Sequence, residues 1–235
     1  MKRLDKFLTE LNIGSRSEVK SYIQKGYVTV DGVVVKKPET KVLEESIVTF
    51  KGEVLNYEEF SYFMLNKPAG VVSATTDSYD KTVIDFFKDE PCKNLFPVGR
   101  LDKDTEGLLL ITNDGALGHR LTSPRHHVEK TYYVKLQNCI KKEHVCMLED
   151  GVDIGEKKPT QPSKVEIISD DEVYITITEG KFHQVKRMFE AVSNKVVYLK
   201  RMSMGTLKLD ENLELGAYRK LTEDEISSLL TLERT

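Results

Sequence analysis

Apolar residues recur along this chain with helical spacing at the start and with mostly strand-like spacing beyond residue 60. Leu4, Phe7, Leu8 and Leu11 fall three and four residues apart, on one stripe of a helix. Ser15-Arg16-Ser17-Glu18 then reads as a capping box, in which the Ser15 hydroxyl and the Glu18 carboxylate each accept a bond from an otherwise orphaned backbone N–H. A second helix should follow, with Val19, Tyr22 and Ile23 inward and Gly26 at the C-terminal cap. Residues 27–30 and 33–35 flank Asp31-Gly32, a dipeptide that tolerates the positive φ of a tight hairpin. Residues 46–50 make one more short strand. The stretch 52–61 shows neither period and is the expected linker.

Beyond it, strand-like runs cover 62–65, 108–111, 131–136, 164–168, 173–178 and 196–199. Helical patterns cover 82–87, 141–150, 183–192 and 222–232. Clustered strands with helices between some of them predict an α+β fold. The expected organisation is a small N-terminal α/β module over 1–51, a linker over 52–61, and a larger domain over 62–235. That domain should hold a mixed, mainly antiparallel sheet with flanking helices.

Composition narrows the class. The chain is 39% hydrophobic and 31% charged with no Trp, ordinary values for a globular protein. No apolar run approaches the roughly 20 residues of a membrane span, and Met1 to Lys6 lacks the apolar core of an export signal. Cys92, Cys139 and Cys146 are odd in number and form no C-x-x-C pair, which argues for a reducing cytoplasm and against disulfides or structural zinc. The net charge of −3 would argue against a nucleic-acid partner if it were evenly spread. It is not: residues 1–51 hold ten Lys/Arg against seven Asp/Glu, giving +3 there and −6 in the remainder. Lys2, Arg3, Lys6, Arg16 and Lys20 lie off the apolar stripes, as a solvated face or as phosphate contacts.

The densest chemistry is Gly99-Arg100-Leu101-Asp102-Lys103-Asp104-Thr105-Glu106-Gly107, directly before Leu108-Leu109-Leu110-Ile111. A polar loop entering a buried strand is one reading. A calcium loop is another, but an EF-hand needs a closing Glu at its twelfth position, where this chain has Asn113. The third is catalytic: a carboxylate beside a basic residue suits chemistry at a sugar carbon, where positive charge develops. A second carboxyl group, from Asp104 or Glu106, would then be available as acid or base. Ser123-Pro124-Arg125-His126-His127 invites a metal reading, but adjacent histidines on a strand face opposite ways, and a phosphate-contacting loop fits better. His119, His144 and His183 show no ligand spacing.

Resemblance separates these readings. The run from Gly99 through Asp102 to Leu108-Leu109-Leu110-Ile111-Thr112-Asn113-Asp114-Gly115 resembles the signature of pseudouridine synthases, in the subfamily acting on ribosomal RNA. Tyr62-Phe63-Met64-Leu65-Asn66-Lys67-Pro68-Ala69-Gly70 resembles the opening of that catalytic domain. Glu129-Lys130-Thr131-Tyr132 and Glu179-Gly180-Lys181-Phe182-His183-Gln184-Val185-Lys186-Arg187-Met188 resemble two later motifs, in chain order. The order of elements in residues 1–51 is similar to the RNA-binding module of ribosomal protein S four. The 123–127 stretch resembles the branch acting on small-subunit RNA.

The resemblance implies roles. Asp102 would be the essential carboxylate, attacking the anomeric carbon or removing a ribose proton. Tyr132 would pack on the uracil ring, although a Tyr in a strand is unremarkable by itself. Lys186 would be the basic partner that keeps Asp102 ionised. Arg187 points about 100° away on a helix, and His183 would hold its motif in shape. Arg100 would contact the RNA backbone or replace the flipped nucleotide; Lys2, Arg3, Lys6, Arg16, Lys20 and Arg125 would bind RNA. No cofactor or metal is expected, because breaking and remaking a glycosidic bond involves no redox change. The expected partner of this cytoplasmic monomer is small-subunit ribosomal RNA, with no membrane. Modification of large-subunit RNA, or a non-catalytic assembly role, are the alternatives.

Overall fold

The computed structural model describes residues 1–11, 13–43, 45–55 and 60–232. The chain divides into two compact units, Met1–Phe60 with Asp89–Lys93, and Ser61–Lys88 with Asn94–Thr235.

In the first unit, β1 (Lys2–Arg3) leads straight into α1 (Leu4–Glu10), which buries Leu4, Phe7 and Leu8. The capping box forms as patterned: Ser15 Oγ accepts from Glu18 N at 3.4 Å, and Glu18 Oε2 accepts from Ser15 N at 2.8 Å. It starts α2 (Arg16–Gln24), which buries Val19 and Ile23. Asp31 and Gly32 take φ of 51° and 80°, closing the hairpin of β2 (Val28–Val30) and β3 (Val33–Val34). β4 (Lys41–Val42) pairs with β1, and β5 (Val48–Phe50) with β2. The sheet then continues past the expected boundary: β6 (Glu53–Leu55) pairs with β5 across Lys51-Gly52, at φ of 51° and 89°. The first part of the expected linker is therefore a strand, hidden because Lys-Gly is a weak hairpin signal and the strand has three residues. The 56–59 part lies outside the described residues.

The second unit is built on one sheet, ordered β11-β12-β10-β13-β9-β7-β15. Its strands are β7 (Tyr62–Lys67), β9 (Glu106–Thr112), β10 (Lys130–Leu136), β11 (Lys164–Ile167), β12 (Glu172–Ile177), β13 (Val196–Met204) and β15 (Tyr218–Lys220). The short β8 (Phe96–Pro97) joins β9, and β14 (Leu207–Lys208) joins β13. Only β9 against β13 is parallel; the other pairs are antiparallel, so the sheet is mixed and mainly antiparallel. The centre and the edge differ as burial demands. In β9, residues 107–112 are all buried, so the strand is covered on both faces, whereas β12 alternates buried and half-buried positions. The helices are α3 (Gly115–Thr122), α4 (Lys142–Asp150), α5 (Gln184–Ala191) and α6 (Glu223–Thr231). Helix α3 was not legible in the pattern, since Asn113-Asp114-Gly115 reads as a turn. Asp114 instead caps the helix, its Oδ1 accepting from Leu117 N at 3.0 Å. The 82–87 pattern forms a tighter 3-10 turn over Val83–Phe87 rather than an α-helix.

Candidate active site

The Asp102 loop lies between β8 and β9 and is fastened from beneath. Ser73 Oγ donates to Leu101 O at 2.8 Å and accepts from Leu101 N at 3.0 Å. Gly70 N donates to Lys103 O at 2.7 Å. Lys67, wholly buried at the end of β7, turns its ammonium onto four carbonyl oxygens, of Pro68, Asp102, Lys103 and Thr105, at 2.8 to 3.3 Å. Burial pushes that ammonium down to about 8, against the pull of Asp104, Asp102 and Glu106, with Arg201 deepening the drop. Gly107 closes the loop at a φ of 100°. A Cβ there would sit 2.3 Å from the Arg201 carbonyl oxygen and 2.7 Å from its nitrogen, so the parallel contact of β9 with β13 requires glycine.

This clamp presents a half-buried Asp102 carboxylate, 26% exposed, to a cavity of about 580 Å³. Lys186 Nζ lies 3.3 Å from Asp102 Oδ2 and 2.6 Å from Asp104 Oδ1, so it bridges two carboxylates rather than serving Asp102 alone. Burial works against its charge, but the hydrogen bond to Asp104 and the fields of both carboxylates outweigh it and hold the Lys186 pKa above its usual value. The same bond to Lys186 holds Asp104 below the usual carboxylate range. Glu106 is engaged elsewhere, accepting from the Tyr198 hydroxyl at 2.6 Å. Arg187 turns away from Asp102, as helical geometry requires, and donates to Glu156, to Phe182 O and to Ile154 O.

Tyr132, on β10 and 8% exposed, lines the same cavity, as does the exposed Arg100. Arg125 stands exposed in a 3-10 turn over Pro124–His126, beside cavity-lining Pro124. His126 and His127 sit in that turn and at its end, where His127 has a φ of 46°, so the strand assumed for them is absent. In the other unit, Lys2 is 2.7 Å from Glu10, Arg3 is 2.8 Å from Asp5 and Lys6 is 3.8 Å from Glu10. Arg16 and Lys20 are exposed on α2.

The sequence reading gave His183 a shape-keeping role only, and gave Lys130 and Arg201 none. His183 holds the left-handed φ of 48° ahead of α5, and its Nε2 lies 3.6 Å from Asp102 Oδ1. Lys130 lines the cavity, donates to Val128 O at 2.7 Å, and is lowered to about 8 by burial first and Arg201 second. Arg201 is 2% exposed, lines the cavity and donates through Nε to Leu108 O at 2.7 Å. It follows Leu199 by two residues, so extending the 196–199 strand by its own alternation would have turned Arg201 inward.

The RNA pseudouridylate synthase family matches residues 61–191, and the S4 domain matches residues 2–48. An uncharacterized RNA pseudouridine synthase, YtzG, of Bacillus subtilis is 51% identical over 97% of this chain and 98% of its own length. The ribosomal small subunit pseudouridine synthase A of Haemophilus influenzae is 45% identical, covering 97% of this chain and 99% of that protein. Its Escherichia coli K12 counterpart is also 45% identical, over 97% and 100%. The crystal structure of a pseudouridylate synthase superposes with a TM-score of 0.70 at 44% identity, over 97% of this chain and all of that one.

Proposed function

Because this chain belongs to the RNA pseudouridylate synthase family, we propose that it converts one uridine of small-subunit ribosomal RNA into pseudouridine, with Asp102 as the carboxylate that acts on the sugar. The observation that carries the reading is a half-buried Asp102 on a clamped loop, facing a cavity with Tyr132 in its wall and Lys186 at 3.3 Å. Relatives that share at least 45% identity over nearly the whole chain and bear the small-subunit name support the choice of substrate.

The chemistry follows from the groups present. A uridine in folded RNA is out of reach until it is extruded, which costs a few kcal/mol, offset by stacking and phosphate contacts. The Tyr132 ring packs on the extruded uracil and keeps it in the cavity after the bond from C1′ to N1 breaks. Asp102 either forms a bond to C1′ or takes a ribose proton; both routes need the anion that Lys186 holds in place. The uracil turns and C5 bonds to C1′ as the bond to Asp102 breaks or the ribose proton returns, and the proton that C5 then gives up is matched by the one that N1 gains. Atoms and electrons balance without a cofactor. His183, 3.6 Å from Asp102 Oδ1, is placed to orient the carboxylate. Arg100 and Arg125 contact the RNA around the cavity, and residues 1–51 dock on it through Lys2, Arg3, Lys6, Arg16 and Lys20. The enzyme works as a cytoplasmic monomer.

The purified chain, incubated with transcripts of small- and large-subunit ribosomal RNA and followed by mapping of pseudouridine, tests this. One modified uridine in the small-subunit transcript is expected. Modification confined to the large-subunit transcript would contradict the substrate, and no modification of either would contradict the activity.

A further inference from the structure

We propose that the outer face of the Phe182 ring is a stacking platform for the nucleobase next to the extruded uridine. This rests on RNA being the substrate, as read above. Phe182 lines the cavity yet is 73% exposed, whereas Tyr132 in the same cavity is 8% exposed. The two rings therefore offer different surroundings: an enclosed wall for the base that enters and an open face for one that stays outside.

Phe182 is not a loose apolar side chain. Its ring stacks on the His183 imidazole with centroids 3.8 Å apart and planes 19° from parallel. The backbone on either side is fastened: Lys181 N donates to Gln184 Oε1 at 2.9 Å, and Arg187 Nη1 donates to Phe182 O at 3.1 Å. His183 adopts a left-handed φ of 48°, which a side chain with a Cβ holds only where its surroundings dictate it. Its Nε2 is 3.6 Å from Asp102 Oδ1. A stack of two rings thus begins at the Asp102 carboxylate and ends on an open aromatic face. A base laid on that face makes a third layer, and it comes from a nucleotide adjoining the one in the cavity, since that chain segment must pass the cavity mouth. A phenyl ring has no donor or acceptor, so it accepts any base by its π-face.

The test is a cycle between protein and RNA. A fragment containing the mapped uridine is made with its natural neighbours, or with an abasic ribose on the 5′ or 3′ side. With natural RNA, F182A is expected to lower kcat/KM about tenfold, carried by KM, the size of effect one base–aromatic stack supports. F182L, which keeps the apolar bulk without the ring, should lose as much, and F182Y should recover most of the loss. At one of the two abasic positions the wild-type enzyme should lose the same tenfold, and F182A should then add nothing further. A merely structural role for Phe182 cannot reproduce that dependence on a missing base. Full kcat/KM in F182A, or losses that multiply at both abasic positions, would overturn the platform. A wild-type enzyme that forms no pseudouridine in the natural fragment would instead sink the parent reading, and the platform with it.

Discussion

Two regions of this molecule place lysines and arginines beside carboxylates, and they do so differently. On α1 and β1, Lys2, Arg3 and Lys6 meet Glu10 and Asp5, where most of these side chains are a quarter or more exposed and water screens the interaction. Such pairs contribute about 0–1 kcal/mol each, and an arriving phosphate can replace the carboxylate with little loss. At the Asp102 loop, Lys67 is fully buried against four carbonyls and Lys186 spans two carboxylates at 2.6 and 3.3 Å. Lys67, buried in this way, cannot reorganise as charge develops, which is where electrostatic catalysis gains its strength, while Lys186 is held by two carboxylates at once rather than by burial. The same residue types thus suit a displaceable docking face in one region and a fixed reaction centre in the other.

The sharpest way to break the contrast is to remove the fit that fixes the loop. Gly107→Ala should destabilise the protein by about 3 kcal/mol or more, because its Cβ would meet the Arg201 backbone at 2.3 Å in a left-handed conformation. Urea unfolding measures this, and a midpoint equal to the wild type would show that the close contact is not required. Lys186→Met, which keeps the stem and drops the charge, should cut turnover about 100-fold with little change in RNA affinity. Equal losses in affinity and turnover would place Lys186 with the docking residues instead.

The pH dependence separates the regions further. Lys67 and Lys130 sit near 8 in the folded protein, against about 10.4 for lysine in an unfolded chain. Below about pH 8 both states carry the proton. From there to about 10.4 the unfolded state binds more protons, so these two groups make stability rise with pH. The Asp102 loop meanwhile loses a donor, and turnover should fall up to about tenfold per unit above pH 8. Rates and melting temperatures measured together check this; turnover flat to pH 9.5 would contradict it. The smallest effect belongs to the exposed face. Replacing Arg16 and Lys20 together by Glu should lower RNA affinity about tenfold and reduce its salt slope by up to about 2. An unchanged slope would exclude both from phosphate contact.

Much of this was legible in the sequence where local rules decide. The Ser15–Glu18 box, the Asp31-Gly32 hairpin and the unbroken apolar run of β9 each follow from a few adjacent residues. The loop 99–107 was visible as an unusual concentration of charge, though its chemistry became specific only through resemblance. What stayed hidden depends on long-range assembly. Lys67 looks like any lysine after a strand until β7 and β9 pair and bring it under residues 102–105. Arg201 enters the site because β13 runs parallel to β9 at Gly107, a pairing no local pattern encodes. His183 was assigned to shape alone, because its distance to Asp102 spans 81 positions of sequence.

The proposed function has Asp102 act on the target sugar, by either route. Its most direct test is a strain lacking this chain, complemented with either the wild type or Asp102→Asn, which keeps the volume and removes the anion. Mapping pseudouridine in small-subunit ribosomal RNA should show one site lost on deletion, restored by the wild type and absent with Asp102→Asn. Restoration of that site by the Asn variant would contradict the account.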